Sequence, residues 1–252
     1  MVYEEVFEPF ALTFADAAVQ TLGNVAGSRV IDVAAGAGGA ALRLARHGAR
    51  VVAVDAAPNM VARCQARARA AGLPLEALLM DGNQLQFASA SFDAGLSIFG
   101  VILFPDAEAG LRELARVVRP GGRVALATWT EPQSFELATG LRSSAQQVMG
   151  ALPIGNLPAQ LRFTDPSQFK ALFHAAGLRS VAICSVRSEL RAKSAGWLVD
   201  RLAFAPGMAA LLASFGAARE DVLAHYRESL ESRFAGQEVV LHGVAAVGVG
   251  TV

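Results

Sequence analysis

Along the first half of the chain, short apolar runs alternate with longer stretches in which apolar residues recur every three or four positions. Arg29 to Val33 (RVIDV) is a β-branched run ending in a loop of small residues. Gly38 to Arg46 follows with helix-compatible Ala, Leu and Arg, and Gly48 suits a helix C-cap. Val51 to Val54 (VVAV) repeats the pattern as a second buried strand, and Pro58 fits the first turn of a helix running through Met60, Val61, Cys64 and Ala68 to Gly72. Leu75 to Met80 and Ala94 to Phe99 read as strands three and four. Leu111, Leu114, Val117 and Val118 give Asp106 to Val117 helical spacing, Pro120-Gly121-Gly122 ends that helix, and Arg123 to Trp129 is strand five.

Strands that are almost wholly apolar and alternate with helices require a parallel sheet covered on both faces, and such α/β sheets bind ligands at the carboxyl ends of their strands. Beyond Trp129 the rhythm loosens. Glu131 to Leu161 reads as a polar, helical insertion. Asp165-Pro166 supplies an N-cap and an N1 proline to a helix that Gly177 ends, and Leu178 to Val186 is strand six. Lys193 to Phe234 reads as helical, broken at Pro206-Gly207, and valine-rich Glu238 to Val249 is a last strand able to pair antiparallel with strand six. No repeat and no Pro, Gly or Ser-rich linker separates a second core, so one domain is expected over 1–252. Its parts are an N-terminal lid helix (1–28), a cofactor-binding core (29–130), a helical lid (131–163 and 188–236), and the helix and strands that complete the sheet (164–187 and 237–252).

Composition narrows the partners. With 53% hydrophobic and 17% charged residues, the 252-residue chain can bury a large core, which excludes disorder. Lys plus Arg (22) equals Asp plus Glu (22) and no basic track recurs, so neither nucleic acid nor anionic lipid is an expected partner. A small molecule is. Mean hydropathy is high at +0.39, yet the longest apolar run, Leu96 to Phe104, contains Ser97 and Gly100 and stops at Pro105, far short of the roughly 20 residues of a membrane span. Glu4, Glu5, Glu8 and Pro9 stand where a secretory signal would be basic and then apolar, so a cytoplasmic location is expected. Cys64 and Cys184 lack CxxC spacing and are read as packing residues, without a metal. A homodimer is compatible with base rates, but no segment argues for one.

The loop after strand one carries the most information. Gly36, Gly38 and Ala41 formally fit the GxGxxG/A dinucleotide pattern, and Asp55 ends strand two about 20 residues on, where a ribose-binding acid belongs. Glycines let a ligand lie against bare backbone, and Asp55 can accept hydrogen bonds from ribose hydroxyls. There is no GK[ST], which excludes a P-loop. Asp32, inside strand one, is expected to point into the site from beneath the glycines. Facing a pyrophosphate, that carboxylate would be repulsive by about 1 to 4 kcal/mol at about 4 Å. Facing the ammonium and sulfonium of S-adenosylmethionine it is favourable. Met80-Asp81-Gly82-Asn83 ends strand three; Asp81 could accept from an adenine amine, or simply form an Asp-Gly turn.

With these residues in place, the chain resembles the class I S-adenosylmethionine-dependent methyltransferases. The branch it is most similar to is that of small-molecule enzymes like the ubiquinone/menaquinone C-methyltransferases and the broad type 11 family. The matching segments are VIDVAAGAGG (Val30 to Gly39), VVAVDAAPNMV (Val51 to Val61), LLMDGNQLQF (Leu78 to Phe87), ASFDAGLSIFGVILFPD (Ala90 to Asp106) and LRELARVVRPGGRVALATW (Leu111 to Trp129). FTDPSQFKALFHAAG (Phe163 to Gly177) is similar to the family's late helix. The resemblance implies a Rossmann-like doubly wound sheet of seven strands, the last antiparallel. It implies that Asp32 and the backbone of Ala34, Ala35, Gly36 and Gly38 face the methionine part, that Asp55 with Ala56 holds the ribose, and that Met60 packs on adenine. Asp81, Gly82 and Asn83 would read the adenine edge, and Ser97, Ile98 and Phe99 would line the site. The chain departs from the family's pattern at Ala34, where a glycine is usual, and at Ala35, where a cysteine is frequent.

Methyl transfer is an in-line displacement that chiefly needs alignment and exclusion of water. A general base is useful but not obvious. His47 and His174 fall in last turns of helices and read as structural, leaving His225, His242 and Tyr3 as weak candidates; Tyr226 is unplaced. The expected lid is rich in aromatic residues (Phe7, Phe10, Phe14, Phe135, Trp197, Phe204, Phe215), which suits a hydrophobic or aromatic acceptor, methylated at oxygen rather than carbon or nitrogen, with S-adenosylhomocysteine as product. Two other readings stand beside this one. One is an NAD(P)-dependent oxidoreductase, which must explain Asp32 and Asp81. The other is a protein of this fold that binds the cofactor without transferring methyl, as a partner subunit or cyclase.

Overall fold

In the computed structural model, which describes residues 2–150, 161–204 and 206–252, the uninterrupted β-branched runs become the centre of a sheet. β1 (Arg29–Val33), β2 (Arg50–Asp55), β3 (Leu75–Leu79), β4 (Phe92–Ile98) and β5 (Val118–Thr128) are mutually parallel. With β6 (Arg179–Ala192) and β7 (Val239–Thr251) they form a seven-stranded sheet in the order β3-β2-β1-β4-β5-β7-β6. β1 pairs with β2 on one side and β4 on the other, so the strand order reverses between them, the point at whose carboxyl ends open α/β sheets bind ligands.

Helices α3 (Gly39–Arg46), α4 (Pro58–Ala71) and α5 (Ala107–Val117) make the crossovers. Their ends follow local chemistry. Pro58 opens α4 and left-handed Gly72 closes it; Asp106 caps α5 by accepting from the Ala109 N–H, and Asp165 caps α7 (Pro166–Ala175) by accepting from the Ser167 N–H. On the α5 and α7 face, Ile31, Val33, Val52, Val54, Leu114, Leu126 and Phe173 form one buried cluster.

β7 was expected beside strand six, and the structure gives it a second neighbour. It lies between β5 and β6, antiparallel to β5 from Arg123↔Thr251 to Thr128↔Ala246. Val244 to Gly248 are buried on both faces, a pattern that belongs inside a sheet rather than at its edge. β5 begins at Val118, earlier than expected, because Pro120-Gly121-Gly122 is absorbed as an irregularity against β4 between Phe92 and Ala94.

The chain divides into two compact units. One comprises Leu12–Thr130, Ala159–Val186 and Ala245–Val252; the other, mostly helical, comprises Met1–Ala11, Glu131–Pro158 and Arg187–Val244. The expected N-terminal helix is two helices, α1 (Val2–Val6) and α2 (Glu8–Leu22), because Pro9 has no N–H to carry the hydrogen-bond ladder across. The insertion after Trp129 contains α6 (Glu136–Met149), and its stretch 151–160 lies outside the described residues. Instead of one broken helix after Lys193 there are α8 (Ala195–Val199), capped by Ser194, α9 (Pro206–Ser214) and α10 (Arg219–Phe234). Pro206 starts a helix, the position where its missing N–H costs nothing. Phe10, Phe135 and Phe215 are buried, and Phe10 stacks on Phe135 at 5.4 Å, so these aromatic residues serve as core. The Phe204 side chain lies outside what is described. No described helix is long and apolar enough to cross a membrane.

Candidate active site

The loop from β1 to α3 is held from three sides. Asp55, at the end of β2, accepts from the Gly36 N–H through Oδ2 (2.8 Å) and from the Ala57 N–H through Oδ1 (2.9 Å). Arg67 of α4 donates Nη1 to the Ala37 carbonyl at 2.9 Å, and the Ala35 N–H donates to the Val54 carbonyl at 3.0 Å. Gly38 has φ 82, and a Cβ there would collide with the Cys64 sulfur. Cys64 therefore packs beneath the loop, as expected. Cys184 does not pack: it is exposed, because β6 is the edge strand.

Beneath the same loop, Asp32 is 1% exposed. It accepts from the Ala41 N–H in the first turn of α3, and its Oδ2 has no hydrogen-bond partner. Burial, and secondly the charge of Asp55, push its carboxyl up to about 8. A buried carboxyl with one unpartnered oxygen, faced by a second carboxylate, is an arrangement that a cationic ligand completes by taking the place of the proton.

Ala34 has φ 57, a left-handed conformation that a glycine adopts freely. Gly100, after β4, closes on it: a Cβ on Gly100 would lie 2.5 Å from the Ala34 Cβ. Ala34→Gly is expected to raise stability by up to about 1 kcal/mol, relief of strain outweighing the added freedom of the unfolded chain. Chemical denaturation checks this, and a lower midpoint would contradict it.

At the end of β3, Asp81 is exposed and its Oδ1 accepts from the Asn83 backbone N–H (2.9 Å) and side-chain amide (3.3 Å). The Gln84 N–H donates to the Asp81 carbonyl at 3.1 Å, so the Asp-Gly turn is real, with the acid as its first residue and Gly82 and Asn83 at its corner. Leu79, opposite Asp55 in the ladder, is 58% exposed, and Met60 in the first turn of α4 is half-buried. Leu79 was missed by sequence reasoning, although an apolar residue at the outermost position of a strand beside Asp55 is a readable signal.

At the end of β4, the buried Ser97 hydroxyl accepts from the Val101 N–H at 3.0 Å, which fixes the turn and leaves its own O–H to donate. Half-buried Ile98 is followed by Phe99 at φ 58, an unusual conformation for a bulky residue. The Phe99 ring stacks on Trp129 (4.7 Å, 19°) and meets Phe14 edge-on at 5.4 Å. The Thr128 and Thr130 hydroxyls beside Trp129 in the chain are buried without partners. Neither the stack nor these hydroxyls is visible in sequence, because the ring partners are distant along the chain.

The weak candidates for a base are all in the helical unit. Tyr3 packs on Phe7 at 5.7 Å, and His225 on α10 has a buried Nδ1 without a partner. His242 on β7 lies 3.5 Å from Glu136 and 3.6 Å from Glu189, an ion-pair setting. Tyr226 is buried against Gly140, its hydroxyl unpartnered.

Residues 30–122 match the family model of a methyltransferase domain. A protein of Mycobacterium tuberculosis is 40% identical over 130 residues, 52% of this chain and 46% of its own length. The chain thus spans about half the length of the curated relatives first matched. The demethylmenaquinone methyltransferase of Thermus thermophilus is 37% identical over 174 residues, 64% of this chain and 76% of that protein. The chain belongs to the class I S-adenosylmethionine-dependent methyltransferases. The YcgJ protein of Bacillus subtilis has the same fold, with a TM-score of 0.61 at 20% identity over 94% of this chain and 97% of that one.

S-adenosylmethionine is the cofactor of this methyltransferase family, and the unmet acceptor of Asp32 fits its cationic end. The nicotinamide reading loses its footing with the family match, and a pyrophosphate there would stand against the charge of Asp55.

Proposed function

We propose that this methyltransferase transfers the methyl group of S-adenosylmethionine to a small apolar or aromatic molecule, with Asp32 and the Ala34 to Gly38 backbone receiving the methionine end. The observation that carries the reading is the buried, half-satisfied Asp32 carboxylate beneath a glycine loop tied to Asp55. Asp55 retains lone pairs for the ribose hydroxyls after its two backbone bonds. Met60 and Leu79 offer apolar surface to adenine, and Asp81 with the Gly82 and Asn83 backbone offers its edge an acceptor and donors. The cofactor supplies a methyl already activated by sulfonium. What the chain contributes is alignment and exclusion of water.

The stack of Phe99 on Trp129 supports an acceptor with a flat apolar face, because Phe99 is the member of that group with exposed surface. The unpartnered Thr128 and Thr130 hydroxyls give such an acceptor a polar point of attachment.

The test is calorimetry with S-adenosylhomocysteine followed by transfer from methyl-labelled cofactor to a panel of phenols, quinols, alkyl alcohols and amines. Binding with label on phenols or quinols is expected. Absence of binding would sink the cofactor assignment; binding without label on any acceptor would favour the reading in which the fold holds the cofactor and transfers nothing.

A further inference from the structure

The loop between β4 and α5, residues 99–106, touches both halves of the cofactor cradle. Gly100 lies against Ala34 of the glycine loop. Farther along, the Phe104 ring fills the space over two glycines: a Cβ on Gly82 would lie 2.5 Å from it, and so would one on Gly110. Gly82 belongs to the turn that carries Asp81. The ring therefore acts as the spacer that sets how far this turn stands from α5.

What fixes the loop is a residue far away in sequence. Half-buried Arg162, just before α7, donates Nη2 to the Ile102 carbonyl at 2.7 Å and to the Phe104 carbonyl, and Nη1 to the Pro105 carbonyl at 3.1 Å. The loop has only a short 3-10 turn, Val101–Leu103, so its later carbonyls have few partners of their own. A planar guanidinium with five fixed donors can bind three carbonyls of one bend at once, and a charged donor makes each bond stronger than a neutral one.

We propose that Arg162 is a positioning residue for the cofactor: by fixing the bend at residues 102–105 it seats the Phe104 ring, and through that ring it sets the Asp81–Asn83 turn that meets adenine. The assignment rests on the cofactor reading above. It acts on the adenosine half of the ligand and leaves Asp32, at the methionine end, untouched.

The experiment measures binding of S-adenosylhomocysteine and of adenosine alone, by calorimetry, to wild type, Arg162→Gln, Arg162→Lys, Phe104→Leu and the Arg162→Gln/Phe104→Leu double variant. Arg162→Gln is expected to weaken both ligands by the same factor, about tenfold, and Arg162→Lys, which keeps the charge but not the planar fork, by an intermediate factor of about three to ten. The double variant is expected to bind no worse than the weaker single variant, because both changes break one chain of contacts. Should Arg162→Gln fail to fold, Phe104→Leu alone still decides, as it keeps the guanidinium bonds and must lose adenosine affinity. A wild type that binds while Arg162→Gln and Phe104→Leu bind equally well overturns this assignment alone, as do losses that multiply in the double variant. A wild type that binds neither probe overturns the cofactor reading together with it.

Discussion

Asp32→Asn is expected to abolish the fall in the unliganded protein's stability that Asp32 causes between about pH 4 and pH 8, and to make it more stable than wild type above about pH 8. The sign follows from the raised carboxyl. Its folded value is about 8 against an ordinary 3.8 for an aspartate in water, so the folded state holds a proton that the unfolded chain has released. The Asp32 contribution to wild-type stability is therefore complete below about pH 4, falls as pH rises, and levels off above about pH 8, a total on the order of 5 kcal/mol. Asn keeps an oxygen for the Ala41 N–H but has no proton to lose. Urea midpoints at pH 5, 7 and 9 check this, and parallel curves for the two proteins would refute it.

On the proposed reading, the same group should make cofactor binding a proton-linked event. An ammonium close to Asp32 favours the ionised form, so binding below about pH 8 releases a proton and S-adenosylhomocysteine affinity rises with pH. Asp32→Asn should bind weakly at every pH and lose that slope. Calorimetry in two buffers of different ionisation enthalpy reads the released proton directly.

Asp55→Ala carries the second large effect, because the carboxylate has two tasks. Loss of its bonds to the Gly36 and Ala57 amides should lower stability by about 2 to 4 kcal/mol, and loss of the ribose contact should weaken S-adenosylhomocysteine by about 1 to 3 kcal/mol. Removing its charge also takes away the second cause of the raised Asp32 carboxyl, so the pH midpoint of stability should move down. Unchanged affinity would end the ribose assignment; unchanged stability would show that the loop is held by Arg67 and Cys64 instead.

The parallel strands were legible because a strand buried on both faces must be apolar at every position, which leaves runs such as VVAV that no amphipathic helix would carry. The cap at Asp165 was legible for a similarly local reason. β7 was not: its valines suit β5 or β6 equally, and its seat depends on Phe169 and Phe173 closing on Gly248, residues remote in the chain. In the site, the acids at the strand ends could be read as a set, since charge is scarce and each stands in register. The unmet oxygen of Asp32 could not, because it is a property of burial. Arg162 looked like any surface arginine until its three carbonyl partners were in view.

The placement of β7 has a consequence for how the molecule is assembled. β6 pairs only with β7, and β7 reaches the body of the sheet through β5. When the chain is made from its amino end, β6 emerges with no strand to join and waits until α8, α9 and α10 have followed and β7 arrives. During that interval β5 presents a bare edge on the side away from β4, with the amides and carbonyls of Arg123 to Thr128 that later face β7 unpaired. Closing that edge is the last step of sheet formation, and it inserts a strand between two that were made earlier.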